Sequence, residues 1–387
     1  VRSPRDRGKI CFRHEDGDGT FPAGVGASMR IIEVVLSLDI GGQERLVVRI
    51  ARALRERGHD VHVITLSPGG ALRGELEKIA VHEVVRGRRG FDVTLHARLW
   101  RLYRALRPDV VHTHNAAPLI YAAPSARAAG VGAVIHTKHG DYTYPKRTLQ
   151  LARGATRFVH RFVAVSEETS MAATRSERPS ASRLSVIENG IPLGAFGPDP
   201  EARAVVRDGL GIPREALVVG SVGRLVDDKD YPLLVRAMTP LLGNGVRLVL
   251  VGEGAARAKI EAAIDPAVRP FVHLTGARHD IPRVLASFDV FASSSRTEGL
   301  PLAIPEAMTS GLPIVATAVG GVPGIVPEGT GVLVAHGDPA ALRQAISRLL
   351  EDASARKTMG VTARAYARRR FSEDRMLGEY LALYGRP

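Results

Sequence analysis

The sequence predicts an α/β protein made of two doubly wound parallel sheets that face each other across a cleft. Short apolar runs alternate with stretches of helical periodicity along the chain, the pattern of parallel strands joined by crossover helices. The alternation is interrupted once, by the Gly- and Pro-rich ENGIPLGAFGPDPEA at 188–202, and then restarts. A chain of 387 residues exceeds one ordinary domain and fits two of moderate size.

Residues 1–28 are polar, Gly-rich and without period, so we expect a disordered extension, with the natural start at Met29 immediately before the first strand. Strands follow at 31–36, 61–66, 110–113, 134–137, 162–165 and 184–187, each a short apolar run. Between them, 44–57 sets Leu46, Ile50, Ala53 and Leu54 on one helical face, and 96–106 does the same with Leu99, Leu102 and Leu106. After the linker, strands are expected at 217–222, 246–251, 272–274, 290–292, 314–317 and 331–334, closed by helices at 339–350 and 372–384.

Composition narrows the function classes. With 45% hydrophobic and 24% charged residues the chain is of globular type, and no apolar run reaches the eighteen or so residues of a membrane span. The single cysteine, Cys11, excludes an intrachain disulfide, and the absence of an apolar signal core predicts a cytoplasmic location. The net charge of +13 is uneven: residues 29–190 hold 25 Lys and Arg against 15 Asp and Glu, residues 191–387 hold 23 against 21. That asymmetry suggests an anionic partner, such as a membrane surface or a phosphorylated acceptor, or else only solvated arginine-rich faces. Nucleic acid is disfavoured, because basic clusters interleaved with exposed aromatics are missing.

In doubly wound sheets, ligands bind beyond the carboxyl ends of the strands. There, Gly41 and Gly42 open a helix, either to admit an anion to backbone N–H groups or merely to make the turn. Gly223, Arg224 and Lys229 follow a strand and suit a diphosphate. Metal binding is not expected at Asp228-Lys229-Asp230 or at Glu15, Asp16 and Asp18. His112 and His114 close a strand; we expect them to point to opposite faces, His112 into the core and His114 toward the loop, so that they share no metal. The stretch SSRTEGLPLAIPEAMT at 294–309 carries Glu298 and Glu306, with Pro301 and Pro305 imposing a loop and then a helix start. Gly299 permits close backbone approach, and ionised glutamates are acceptors suited to hydroxyls. Together these residues suit a nucleoside diphosphate sugar. On the other wall, Lys138, His139 and Tyr142 lie where an acceptor could reach, and Arg153, Arg157 and Arg161 are expected to form a basic row on one helix face.

These residues resemble the retaining GT-B glycosyltransferases of group 1, or family 4. The resemblance runs from Met29 onward and rests on GGQE at 41–44, DVVHTHN at 109–115, VSEE at 165–168, IENGI at 187–191, VGRLVDDKDYPLLVRAM at 222–238, LVGEG at 250–254, SSSRTEGLPLAIPEAMTSGLPIVAT at 293–317 and VGGVPGIV at 319–326. It implies two facing Rossmann-like domains, 29–190 for the acceptor and 191–371 for the donor, with the last helix, 372–387, crossing back to the first. It implies that Glu306 accepts from the donor ribose and Glu298 from the donor sugar. The backbone of Gly299, Leu300 and Pro301, with Gly42 opposite, would approach the phosphates. Arg224 and Lys229 would neutralise the leaving diphosphate, and His114 would position the sugar. It also implies transfer with retention and no bound metal, from a nucleotide sugar, which we expect to be UDP-linked, to a glycan or lipid-linked acceptor; the basic first half would let such an enzyme lie on the inner face of the cell membrane. Pro192, Asp230 and Gly324 depart from residues frequent in the family. A nucleotide-sugar 2-epimerase on the same fold is the alternative; it would turn over donor without acceptor, and no separate acid–base carboxylates stand out for it.

Overall fold

A computed structural model describes residues 27–85, 91–141, 144–243 and 245–385. The first sheet contains β1 (Arg30–Val35), β2 (Asp60–Thr65), β3 (Ala80–Glu83), β4 (Val110–His114), β5 (Ala133–Lys138), β6 (Arg161–Ala164) and β7 (Leu184–Val186), all parallel, in the order β3-β2-β1-β4-β5-β6-β7. The second contains β8 (Leu217–Val222), β9 (Val246–Val251), β10 (Val272–Leu274), β11 (Val290–Ser293), β12 (Ile314–Thr317) and β13 (Gly331–Val334), also parallel, in the order β10-β9-β8-β11-β12-β13. Each order reverses once, between β1 and β4 and between β8 and β11. Those are the switch points at which a crevice opens for ligand.

The crossover helices of the first half are α1 (Gly42–Glu56), α2 (Val93–Leu106), α3 (Ala116–Ala128), α4 (Lys146–Ala155) and α5 (Glu167–Arg175). Those of the second are α6 (Pro200–Gly209), α7 (Tyr231–Met238), α8 (Arg257–Ala262), α9 (Ile281–Ala286), α10 (Ala303–Thr309), α11 (Val322–Ile325) and α12 (Pro339–Glu351), followed by α13 (Ala353–Arg370) and α14 (Glu373–Tyr384). Side chains close several of the helix starts: Asp92 accepts from Thr94 N, Asp199 from Ala202 N and Asp338 from Ala340 N and Ala341 N. Helices cover both faces of each sheet, so central strands are buried on both sides and read as continuous apolar runs. The short β3, AVHE, at the sheet edge has two apolar residues followed by two polar ones, neither an apolar run nor an alternation, so periodicity alone does not find it.

The chain crosses between the halves twice, side by side. Ile191 N donates to Phe371 O (2.8 Å) and Glu373 N to Ile191 O (3.2 Å). A Cβ on Gly190 would lie 2.5 Å from Glu373 Cα, so only glycine lets the strands touch there. Beyond this crossing, α14 lays Met376, Leu377, Tyr380 and Tyr384 on the core of the first sheet. The expected basic row does not form: α4 ends at Ala155, Arg157 sits in a separate turn and Arg161 opens β6. Arg153 is spent on Ser176 O (2.6 Å).

Candidate active site

The loops after β8 and β11 build one wall at the second switch point. Arg224, exposed directly after β8, makes no side-chain hydrogen bond or ion pair among the described residues. Lys229 closes the turn at Asp227–Lys229 and donates through Nζ to Glu298 Oε1, which also accepts from Ser295 Oγ (2.6 Å). The two cation candidates therefore differ: Lys229 is held on Glu298, and Arg224 is uncommitted. The Val319-Gly320-Gly321 loop grips the Glu298–Gly299 backbone, with Gly321 N donating to Glu298 O (3.2 Å). Gly320 has φ +50, and a Cβ there would lie 1.8 Å from Glu298 O, so glycine is required.

The N–H groups of Gly299 and Leu300 donate to no protein acceptor among the described residues. They are the donors available to a phosphate. Pro301 has no N–H and cannot contribute one, which narrows the expected backbone seat to two amides. Glu306 lies in the first turn of α10, half-buried, with Arg49 Nη1 of α1 3.6 Å from its Oε1. Burial pushes its carboxyl above the ordinary range, and Arg49 and Arg45 partly offset that.

On the facing wall, Gly42 has nothing within 4 Å of where a Cβ would be, and its φ is unexceptional. The turn itself does not need glycine at that position, which favours the ligand-approach reading over the turn reading. Glu44, one helical turn into α1, is raised by burial and lowered by the charge of Arg224, so the two walls sense each other electrostatically. Contact is direct at Gly299, where a Cβ would lie 2.4 Å from His139 O.

The expectation for His112 and His114 is corrected. Residues two apart on a strand share a face. Both rings lie on the face covered by α14, with centroids 4.2 Å apart, and both are fully buried. His114 Nε2 is 2.7 Å from Glu33 Oε2 and its Nδ1 is 2.9 Å from His139 Nε2. Both nitrogens of His114 are thus engaged inside the fold. His139 belongs to the loop that meets Gly299, and its Nδ1 is buried with no partner among the described residues. Glu33, His112 and His114 bring three ligand atoms within 4.8 Å of one another. At 2.7 Å, however, Glu33 and His114 share a proton, and His112 Nε2 faces Thr137 Oγ1 at 2.8 Å. A metal would have to displace those protons.

Lys138 is also placed differently from the acceptor reading. It is 1% exposed, and its Nζ donates to Glu177 Oε1 at 2.6 Å, so it lies in a buried pair and not on the surface of the cleft. Tyr142 lies outside the described residues. A residue absent from the expected set organises this wall: Asn115, at φ 62 and ψ −177, in a region essentially reserved for glycine. Its Oδ1 accepts from His139 N (3.0 Å) and its Nδ2 donates to Gln43 Oε1, tying the histidine loop to the start of α1. Strain held by such a clamp at a switch point marks a functional position. Asp230, with φ 42 where glycine is frequent in the resembled family, is likewise held by Arg296 Nε (3.1 Å) and His336 Nε2 (3.0 Å).

The buried histidines predict a pH dependence. Burial pushes His114 down to about 4, with His112 adding to it, and burial with neighbouring histidines lowers His136 and His139 well below the ordinary value. Unfolded histidine titrates near 6.5, so between there and pH 4 the unfolded chain binds more protons and stability falls as pH drops. For His114 alone the loss is about 3 kcal/mol. Burial would raise Glu33, but its hydrogen bonds and the charges of His112 and His114 outweigh that and hold it at about 2. Its contribution is therefore complete above the unfolded value of 4.5 and is lost as pH falls toward 2. Melting temperatures between pH 7 and 4.5 should decline steadily; a flat profile from 7 to 5 would contradict neutral burial.

Comparison with known proteins agrees with this architecture. Residues 40–194 match the family model described as Glycosyltransferase Family 4, and residues 216–352 that described as Glycosyl transferases group 1. A GDP-mannose-dependent alpha-mannosyltransferase of Mycobacterium tuberculosis is 32% identical over 393 residues, covering 93% of this chain and 98% of that protein. The lipopolysaccharide core biosynthesis glycosyltransferase LpsD of Rhizobium meliloti is 29% identical, covering 92% and 98%. Among solved structures, HepE of Anabaena in complex with UDP-glucose matches with a TM-score of 0.82 at 25% identity, covering 92% of this chain and 99% of that one. Two facing Rossmann-like parallel sheets are the GT-B architecture, and similarity to the mannosyltransferase extends over nearly the whole length. The chain is a glycosyltransferase and belongs to group 1, family 4.

Proposed function

We propose that this enzyme moves a sugar, with retention of configuration and without a bound metal, from a UDP-sugar to a glycan or lipid-linked acceptor in the assembly of a polysaccharide, lipopolysaccharide or glycolipid. The observation that carries the reading is the unspent donor set at the second switch point. The Arg224 guanidinium and the N–H groups of Gly299 and Leu300 have no protein partner among the described residues, and Glu298 and Glu306 flank them. A diphosphate fits the donors, and hydroxyls on either side of it fit the carboxylates. Support for UDP comes from the Anabaena complex with UDP-glucose, whereas the M. tuberculosis relative is named for GDP-mannose.

In this reading Glu306 accepts from the ribose hydroxyls and Glu298 from the sugar. Donor binding draws Lys229 from Glu298 toward the diphosphate, beside Arg224. The bond between the anomeric carbon and the phosphate oxygen breaks as the acceptor hydroxyl forms its bond on the same face. The acceptor proton passes to the departing phosphate oxygen. Arg224 and Lys229 stabilise the charge that develops there, which is the task a metal would otherwise perform. His139, whose Nδ1 has no partner among the described residues and whose backbone meets Gly299, takes in this reading the sugar-positioning role that the sequence pattern suggested for His114. The lipid side is supported by exposed Phe91, Val93 and Trp100 before and along α2, with exposed Arg101 and Arg104. No helix among the described residues is long and apolar enough to cross a membrane.

A panel of UDP- and GDP-sugars, scored first by calorimetry and then by mass spectrometry and NMR of products formed with lipid extracts, tests the proposal. The expected outcome is one UDP-sugar bound, an α-linked product from an α-linked donor, and a rate unchanged by EDTA. Preference for a GDP-sugar would overturn the choice of base, and an inverted product the retaining course. Turnover without any acceptor would favour epimerisation. Co-sedimentation with anionic vesicles at low salt, reversed at high salt, is expected; no binding at low salt would remove the membrane contact.

A further inference from the structure

The core of the first half contains an ionised carboxylate that the transfer reaction does not use. Glu33 lies at the centre of β1, in RIIEVV, and is fully buried. Its register partner is His112 on β4, whose second neighbour His114 pairs with Thr137 on β5. Tyr380 and Tyr384 of α14 close the group from above: Tyr384 OH is 2.8 Å from His112 Nδ1 and Tyr380 OH is 3.1 Å from Thr137 Oγ1. A buried charge persists only where donors surround it, and Glu33 has three within reach: His114 Nε2 at 2.7 Å, His112 Nδ1 at 3.2 Å and Tyr384 OH at 3.4 Å.

The arrangement leaves no freedom in where the ring protons lie. An ionised carboxylate only accepts, so His114 Nε2 carries hydrogen. Burial keeps His114 neutral, and a neutral imidazole has a single N–H, so its Nδ1 is an acceptor. The group 2.9 Å away, His139 Nε2, must then be the donor. His139 is neutral for the same reason, so its remaining nitrogen, Nδ1, is a bare lone pair. That atom has no partner among the described residues and belongs to the loop that meets Gly299 of the opposite wall. The His112 branch is consistent: Tyr380 donates to Thr137, Thr137 to His112 Nε2, and His112 Nδ1 and Tyr384 face Glu33.

We infer that Glu33, acting through His114, is a positioning residue that locks His139 in the Nε2–H tautomer, so that His139 meets the substrate as a hydrogen-bond acceptor only. The inference rests on the transferase reading for its substrate and on the fold alone for its tautomer. Its consequence is selective. The group placed against His139 must be a donor, such as a sugar hydroxyl, and a phosphate oxygen or substrate carboxylate at that point is refused. Conversion of His139 to the other tautomer would set two lone pairs, His114 Nδ1 and His139 Nε2, against each other, and turning His114 over to relieve that would set its lone pair against Glu33, so the choice is cooperative along the chain.

The test is long-range proton–nitrogen correlation NMR on the full-length, ligand-free protein labelled with ¹⁵N-histidine, with His139 assigned by its absence in His139→Gln. Protonated Nε2 and bare Nδ1 are expected at His139; protonated Nδ1 in the wild type overturns the inference and needs no variant. Glu33→Gln supplies the second arm, because an amide can donate as well as accept and lifts the constraint. There, mixed tautomers at His139 are expected, and kcat should fall about 10- to 100-fold, the range for losing a group that orients a ligand-binding histidine. KM for the donor should stay within about twofold, since the donor's nucleotide lies on the other wall. A single Nε2–H tautomer and unchanged kcat in Glu33→Gln would show that Glu33 does not position the ring. If that variant does not fold, His114→Gln is read in the same way. Failure of the tautomer prediction leaves sugar transfer intact, whereas failure to turn over any donor leaves the tautomer intact, so the two readings fall separately.

Discussion

Arg224→Ala should lower kcat about 10²- to 10³-fold while leaving the melting temperature almost unchanged. The rate loss corresponds to removing one group aimed at charge that develops in the transition state, about 2.7–4 kcal/mol. The absence of a stability cost follows from the side chain's situation: it is exposed and engaged with no hydrogen bond or ion pair among the described residues. A cation retained in that state is available to a ligand. Lys229 is a poorer choice for the same test, because removing it strands Glu298, whose Oε1 it holds. Arg224→Lys should recover part of the rate, since charge returns without the planar fork of donors. Steady-state kinetics at saturating donor make the measurement, and a kcat within about threefold of wild type would remove the diphosphate from this position.

The second large effect is expected on binding. Glu306→Ala should raise the donor dissociation constant about 10- to 100-fold, because two hydroxyls lose an ionised acceptor and such hydrogen bonds contribute about 1.5–3 kcal/mol. Calorimetry with nucleoside diphosphate alone should show most of the loss, since the carboxylate is assigned to the ribose and not to the sugar. Stability should fall by only about 1 kcal/mol, because the Arg49 partner is 3.6 Å away and its side chain is 22% exposed, so water can replace the carboxylate. Burial raises the Glu306 carboxyl above 4.5, so donor affinity should weaken as pH falls toward that raised value and hold above it. Unaltered affinity in Glu306→Ala would mean that the ribose sits elsewhere.

Much of the fold is legible in the sequence because burial on both faces writes parallel strands as apolar runs, and the linker's prolines and glycines separate two such series. Strand order is not written there. Nothing in RIIEVV or DVVHTHN says that β1 and β4 are neighbours, and only that adjacency brings Glu33 to His112 and His114. The same limit explains Lys138, which reads as a loop-end cation and proves to be a buried partner of Glu177, 39 residues on. His114 likewise reads as a loop-end ring and proves to be buried against Glu33, which occupies the space that it faces. One signal was available and unused: a glutamate at the centre of a doubly buried strand has to be paired, and two histidines spaced by two share a face on which to pair it. Asn115 gave no such signal, since a strained backbone is a property of the fold around it. The donor wall was more legible because proline and glycine at 299–305 constrain the backbone locally.

The most direct measurement of the central claim is a crystal structure of the protein with a nucleoside diphosphate sugar. The diphosphate is expected on the N–H groups of Gly299 and Leu300 with Arg224 and Lys229 on its oxygens, Glu306 accepting from the ribose, Glu298 from the sugar, and His139 Nδ1 facing a sugar hydroxyl. A nucleotide seated on the first sheet's wall, or a diphosphate that touches neither Arg224 nor the two amides, would contradict it.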